Sequence, residues 1–511
     1  MTSWTDRLGT QNPQFLRECR GRLKPRSVLA AVGLSLIFQF LLYISIAGLG
    51  GEFNPEAQRN VCQVLTWIIP YVLFVLGGFY IVDDLAREEK TGTLNFIRLS
   101  PRPAQEILLG KLLGVPLLPV VAAAIALPLH VISGLLGGVS ALWFLSYYGI
   151  LAFGTAFVYT LALLFGFVGS TSPIGKQQAL SAIAFAGLAL VIITPAFMTW
   201  NSEVTWWSFR EASPLYTPPW NPDIVDAPFV EWLFLPIERS GLLAHLFTLI
   251  NLAIGIFLTW RVTLRAFRMP KATLLSKGIS YLIVAYLNVL VWGFFQNNSL
   301  SPDGVAVGGA VALFVLNVAI AFGLIFAIAP TRQTLIDWSR ARWDNLFDWI
   351  WHDGSPSIVA VGINFVIAAT LAVSWILLVD RGREIEIVPM LLAVASLGTC
   401  ALIYATVVQL ILSTKLRAAF VWAVGSVAVM AVVPPIVLAT LDVGFEGTRS
   451  VLEVALWTFF GLPFWGPGMD GINVTAGIGL GWAMQGIVLL VLLTRLARRL
   501  KQLSSRQSVQ V

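Results

Sequence analysis

Twelve apolar stretches, each close to twenty residues long, alternate with short polar segments along this chain. A helix needs about 20 apolar residues to cross the hydrocarbon core of a bilayer. The pattern therefore predicts an all-α polytopic membrane protein and leaves no room for an independent soluble enzyme domain. The predicted spans are 28–48, 61–82, 115–133, 141–168, 179–199, 242–260, 279–297, 306–329, 357–379, 387–411, 418–440 and 472–494.

The composition indicates the same class of protein. Of 511 residues, 57% are hydrophobic and only 12% are charged, a balance that excludes an ordinary soluble domain. The first apolar stretch is long and follows a basic leader, so it predicts a span rather than a cleavable signal peptide. Three scattered cysteines, Cys19, Cys62 and Cys400, argue against a disulfide framework and against a cysteine metal site.

Lysine and arginine residues predict the orientation of these spans. With the N-terminus inside and alternating spans, 27 of the 33 basic residues fall in inside segments. Such an excess marks the cytoplasmic side of a membrane protein, so both termini are predicted to be cytoplasmic. The net charge of +6 follows from this bias and gives no reason to expect a nucleic-acid partner.

Charged residues are absent from all twelve predicted spans. Ion-coupled transporters usually keep ionisable groups at membrane depth, so this absence disfavours ion-coupled transport. The two histidines inside spans, His130 and His245, are expected to be structural. The amides inside spans are expected to form hydrogen bonds between helices; they include Gln39, Asn251, Asn288, Asn317, Asn364, Gln409 and Gln485.

The two halves of the chain, 1–270 and 271–511, share one order of elements. In each half a cytoplasmic insert follows the second span, at 83–111 and 330–356. A tryptophan- and proline-rich outer segment precedes the sixth span of each half, at 200–240 and 441–471. This order predicts two pseudo-repeated six-span units, with re-entrant outer helices before spans six and twelve.

The insert Asp83–Lys111 is the most distinctive polar segment of the chain. Its first residues extend the second span with charges, Gly92 can end that helix, and Thr93 can cap a new one. Ser100-Pro101 then redirects the chain. The segment therefore predicts an elbow of two short helices, charged on one side and apolar on the other, which rests on the lipid or contacts a partner.

A nucleotide-binding loop is not evident in this sequence. The nearest match, GSTSPIGKQ at 169–177, lacks the Gly-x4-Gly-Lys-Ser/Thr spacing that cradles phosphate and magnesium. The chain is therefore expected to have no cofactor, metal or catalytic residue of its own.

The segment REEKTGTLNFIRLSPRPAQEILLGKLLG, from Arg87 to Gly114, resembles the cytoplasmic motif of ABC-2-type transporter permeases. The resemblance is carried by Glu89, Gly92, Thr93, Leu94, Ser100, Pro101, Gly110 and Lys111. In addition, 12–26 resembles the basic connecting helix that precedes the first span in that family. The outer segments resemble the family's extracellular re-entrant helices.

This resemblance implies the membrane subunit of an ABC exporter in a bacterial plasma membrane. ATP and magnesium would bind to two separate ATPase subunits, which would dock on the insert. The residues implied in ATPase coupling are Arg87, Glu88, Glu89, Gly92, Thr93, Leu94, Phe96, Ser100 and Pro101. The insert of the second half lacks the Gly-Thr core, which puts a symmetrical second docking site in doubt.

Two other functions fit parts of the pattern. An ion-coupled secondary transporter of the major facilitator type also has twelve spans, but the Gly-Arg-Arg of that family's signature is missing after Asp83. A membrane enzyme acting on lipid-linked substrates would need paired acidic residues near the membrane surface. The outer acidic groups, at 223–231 and 380–386, are expected to lie in solvated loops.

Overall fold

The computed structural model describes most of the chain, and its regular structure is helical. The described residues are 12–48, 53–171, 178–209, 212–214, 230–270, 272–294, 302–340, 346–378, 387–441, 450–462 and 472–505. The helices of the first part are α1 (Pro13–Arg22), α2 (Pro25–Ala47), α3 (Pro55–Thr91), α4 (Thr93–Arg98), α5 (Ala104–Gly114), α6 (Leu117–Leu136), α7 (Ala141–Thr171), α8 (Leu180–Phe209) and α9 (Gly241–Arg268). Those of the second part are α10 (Lys277–Trp292), α11 (Pro302–Ala327), α12 (Arg332–Arg340), α13 (Leu346–Trp351), α14 (Ser357–Leu378), α15 (Ile387–Leu412), α16 (Ala419–Thr440), α17 (Val451–Phe459) and α18 (Ile472–Ser505).

Ten of these helices are long and apolar enough to cross a membrane, namely α2, α3, α6, α7, α8, α9, α14, α15, α16 and α18. Of the predicted spans, 279–297 coincides with a shorter helix, and 306–329 coincides with a helix that leads into a bend. Helix α10 has 16 residues, about 24 Å against a hydrocarbon core of about 30 Å. Helix α11 has 26 residues, and its stretch Ala312–Ala327 together with α12, across a bend of 72°, counts as an eleventh candidate span. An all-helical, multi-pass architecture is therefore confirmed, with ten helices of full spanning length among the described residues.

Several predicted features fall wholly or partly outside the described residues. These are residues 172–177 of the near-match to a nucleotide loop, residues 210–211 and 215–229 of the first outer segment, residues 341–345 of the second insert, the outer acidic residues 223–229 and 380–386, and residues 442–449 and 463–471 of the second outer segment. The six-plus-six repeat stays a prediction.

The chain folds into two compact units. The first comprises Met1–Val230 and Leu235–Pro270, and the second comprises Glu231–Phe234 and Lys271–Val511. Each unit has its own apolar core.

The long helix α3 organises the first unit. Pro70 interrupts the hydrogen bonds of the helix, and the segment Val72–Gly77 widens into a π-helix just after it. Gly77 and Gly78 follow, where an added Cβ would lie 2.3 Å from the Tyr159 hydroxyl and 2.2 Å from the Phe185 ring. These two glycines let α7 and α8 approach the α3 backbone closely.

His130 in α6 ties three helices of the first unit together. Its Nε2 lies 2.9 Å from the Thr66 hydroxyl of α3, and its Nδ1 lies 2.6 Å from the Tyr148 hydroxyl of α7. The ring is fully buried among aromatic side chains of α7. These hydrogen bonds between helices are consistent with the structural role that the sequence predicts for His130.

Buried amides hold the second unit together, as the sequence predicts. Asn288 of α10 and Asn317 of α11 exchange two hydrogen bonds, of 3.1 and 2.8 Å. Gln409 of α15 accepts a hydrogen bond from the Ser357 hydroxyl at the start of α14. Polar pairs of this kind fix helix positions where lipid offers no alternative partner.

The short helix α17 packs in parallel along the first half of α18. Gly477 and Gly481 of α18 leave room for it, because an added Cβ would lie 2.5 Å from Val454 and 2.6 Å from the Ala455 carbonyl oxygen. Farther along α18, Gln485 donates to the carbonyl oxygens of Thr458 and Phe459, at 2.8 and 3.1 Å. The buried C-terminal end of α17 therefore has side-chain donors in place of water.

We expect Gln485→Leu to destabilise the second unit. The substitution removes the side-chain donor of the Phe459 carbonyl oxygen and one of several donors to Thr458, at a cost of about 1–3 kcal/mol. Thermal unfolding of the purified chain in detergent measures the loss. The control is Ile487→Leu, an exposed position on the same helix, and an equal melting temperature for both variants would contradict the assignment.

Candidate functional site

The predicted elbow is present at the charged end of α3. Helix α3 ends at Gly92, whose φ of 75° lies in the left-handed region that glycine adopts most easily. The short helix α4 follows at once, and α5 begins after the turn at 100–103. Thr93 does not cap α4, contrary to the prediction; its hydroxyl instead donates to the Glu88 carbonyl oxygen at 3.2 Å. It thereby fastens α4 to the end of α3.

The apolar residues of the elbow face in two directions. Leu94 and Ile97 are buried in the core of the first unit, which holds α4 against the bundle. Phe96 and Leu99 are 78% and 84% exposed. Large apolar side chains with this exposure stand out beside the charged residues around them, and they give the elbow an outward apolar tip.

A buried ion cluster lies behind the elbow, with the fully buried Lys111 of α5 at its centre. Its Nζ lies 2.7 Å from an Asp84 oxygen, 2.8 Å from a Glu88 oxygen and 4.0 Å from a Glu18 oxygen. Arg22 of α1 adds a contact of 2.6 Å to Asp84. The cluster joins α1, α3 and α5 through charge-assisted contacts.

The charges of this cluster keep Lys111 protonated. Burial by itself would lower the pKa of Lys111, but the nearby carboxylates of Asp84, Glu88 and Glu18 raise it above its ordinary value. The three carboxylates lie close enough together to hold a metal ion. The Lys111 ammonium already takes the central place, so the cluster reads as an internal ion pair network.

Two glycines of α5 allow α1 to lie against it. An added Cβ at Gly110 would come within 2.7 Å of Asn12 Oδ1, and one at Gly114 within 2.5 Å of Glu18 Cβ. Asn12 also caps α1 by accepting from the Phe15 amide at 2.9 Å, and it donates to the Glu106 carbonyl oxygen at 2.8 Å. The Gly-Lys pair of the sequence motif therefore serves the packing of α1 on α5.

The residues predicted for ATPase coupling divide by burial. The exposed ones form the outer side of the elbow, two are half-buried, and two lie inside. They are Arg87, Gly92, Thr93, Phe96 and Pro101 outside, Glu89 and Ser100 half-buried, and Glu88 and Leu94 inside. Glu88 and Leu94 can act on a partner only through the residues that they hold in place.

Sequence reasoning missed Leu99 as part of the tip and missed the ion cluster altogether. A usable signal was present for the cluster. Asp84 and Glu88 are four residues apart, so they share one face of a helix, and Glu18 and Arg22 do the same on α1. Charges on inward faces next to an apolar core need partners.

The second insert has a different construction. Trp338 of α12 is buried against Trp349 of α13, with ring centroids 4.6 Å apart. Leu335 and Leu503 of α18 complete this small core. The tryptophans thus stabilise the insert internally, while Phe347 stands exposed on α13.

The chain was compared with protein-family profiles, curated proteins and solved structures. No protein-family profile, no curated protein and no solved structure matches it.

Proposed function

We propose that this chain is the membrane-spanning permease of an ATP-binding cassette exporter of the ABC-2 type. It would carry an amphipathic or hydrophobic substrate out of a bacterial cell across the plasma membrane, with both termini in the cytoplasm. ATP and magnesium would act on separate ATPase subunits. The observation that carries the proposal is the elbow of α3, α4 and α5, with Phe96 and Leu99 exposed at its tip.

The ion cluster supports this role because it makes the elbow part of a stiff assembly. Force applied by a partner at Phe96 reaches α4, which Leu94 anchors in the bundle. The Lys111 contacts then connect the end of α3 to α1 and α5. A displacement of the elbow would therefore tilt the long helix α3 and its neighbours together, as rigid-body switching requires.

The differences between the inserts support one strong docking site. The exposed tip at Phe96 and Leu99 follows the Gly-Thr elbow, whereas the second insert buries Trp338 and Trp349 in its own small core. We propose that one ATPase docks at the first insert and that the second ATPase docks more weakly, or differently, at the other.

Helix α17 fits a re-entrant outer helix in this scheme. It runs in the direction of α18 and ends beside Gln485, thirteen residues after the start of that helix, or about 20 Å along it. We propose that α17 enters the membrane from the outer face, as a re-entrant helix does.

The coupling assignment predicts a specific loss of function. Gly92→Pro forces a φ near −65° where the elbow needs 75°. Burial lowers the pKa of Arg98 on α4, and the Glu89 carboxylate opposes this effect; Glu89→Lys reverses that charge. We expect both variants to insert normally and to abolish substrate-stimulated ATPase activity of the reconstituted complex. Lys415→Ala, in a polar turn of the second unit, is the control.

Normal stimulation in both elbow variants would contradict the coupling assignment. The same membranes distinguish the main rival. If an uncoupler abolishes transport while ATP is held constant, an ion-coupled secondary transporter would replace this proposal.

A further inference from the structure

An apolar cavity of about 150 Å³ lies within the second unit. Residues of α10, α11, α14 and α15 line it, and on α14 the lining extends from Val361 to Ile376, about 22 Å along the helix axis. Its walls include small residues such as Ala369 and Ala372 and larger ones such as Leu397. The lining therefore follows α14 for about four turns, a length that suits an extended chain.

The side-chain amides of Asn317 and Asn364 supply the polar atoms of the lining. They differ in whether the amide oxygen has a hydrogen-bond donor. Asn317 is paired with Asn288 through both its amide oxygen and its amide nitrogen. Asn364 is only 3% exposed, and its Nδ2 donates to Ser280 Oγ at 3.0 Å and to the Ala360 carbonyl oxygen at 2.9 Å. Its Oδ1 is buried and has no hydrogen-bond partner among the described residues.

The orientation of the Asn364 amide is fixed by its surroundings. A carbonyl oxygen can only accept, so the group that faces Ala360 must be the NH₂. The oxygen is thus the atom left without a donor. A buried acceptor in this position is costly unless something donates to it.

We propose that this cavity binds a single-chain amphiphile: an unbranched alkyl chain that ends in one hydroxyl or amide N–H. The chain would lie along the apolar walls and the terminal donor would bond to Asn364 Oδ1. Water is a poor occupant, because it needs two to four polar partners and the Asn364 oxygen is the one unpaired acceptor identified in the lining. An acyl tail of a bilayer phospholipid fills the space but brings no donor. The inference is independent of the proposed coupling to an ATPase.

A pair of photoreactive probes tests this site. The full chain is placed in phosphatidylcholine nanodiscs and labelled with dodecanol that carries a diazirine in its chain, or with dodecane that carries the same group. We expect the dodecanol probe to label residues such as Ala369 and Leu397 saturably, with displacement by unlabelled dodecanol. Asn364→Leu should raise the half-saturating concentration of the alcohol roughly 3- to 10-fold, the worth of one hydrogen bond, and leave the alkane unchanged.

Two further variants keep the result interpretable. Ala372→Phe fills the cavity without touching the hydrogen bonds of Asn364, and we expect it to abolish labelling by both probes. Thr370→Leu changes an exposed position of the same helix and should alter nothing. Equal affinity for alcohol and alkane, unaffected by Asn364→Leu, would show a slot for lipid chains only and overturn the proposal. Absence of saturable labelling would overturn it as well.

Discussion

Replacing Lys111 by methionine is expected to destabilise the first unit by about 3–5 kcal/mol, the usual cost of breaking a buried ion pair on one side. The substitution keeps most of the side-chain volume and removes the charge. Asp84, Glu88 and Glu18 then face one another without their central cation. Thermal unfolding in detergent should show a large drop in melting temperature, or loss of folded protein.

The pH dependence of the variant gives an independent check. Protonation of one carboxylate relieves the repulsion in the Lys111→Met protein, so its destabilisation should be smaller at mildly acid pH and grow as the pH rises. Lys90→Met, an exposed position near the end of α3, is the matched control and should behave as the unaltered protein. A Lys111→Met protein as stable as the control at neutral pH would refute the structural role of the cluster.

Replacing Phe96 by alanine is expected to produce the second large effect, on binding of the ATPase that we propose as the partner. The side chain is 78% exposed at the tip of the elbow and supports no core. If it enters a pocket of the partner, its truncation should cost about 2 kcal/mol or more, roughly a 30-fold loss of affinity. Titration of the purified ATPase onto the chain in nanodiscs measures this loss.

The second insert offers a matched control for this experiment. Phe347 is similarly exposed, on α13, and we expect Phe347→Ala to weaken ATPase binding much less than Phe96→Ala. Both variants should keep the melting temperature of the unaltered chain. If the Phe96→Ala variant and the unaltered chain bind the ATPase with equal affinity, the tip of the elbow is not part of the interface and the proposal is contradicted.

Much of the fold could be predicted from the hydrophobic pattern, for physical reasons. An apolar stretch of about twenty residues has few alternatives to a spanning helix. Ten of the predicted stretches accordingly coincide with helices long enough to span a membrane. The pattern was less reliable for α10 and α11, because hydropathy does not register where a helix ends early or bends.

The site could be predicted only in outline. The turn could be predicted from Gly92, because a left-handed backbone position between two helices is one that glycine adopts most easily. The inward direction of Glu88 and Leu94 and the outward direction of Phe96 and Leu99 depend on tertiary packing. The Lys111 cluster unites residues from three helices, so no single stretch of sequence contains it.

Isolation of the tagged chain from its native membrane, with mass spectrometry of the proteins that accompany it, tests the proposed function most directly. The permease proposal predicts a stoichiometric P-loop ATPase that disappears in the Glu89→Lys and Phe96→Ala variants, while the variants reach the membrane in normal amounts. A chain that is recovered alone, under mild-detergent conditions that keep a known ABC complex together, would contradict the proposal.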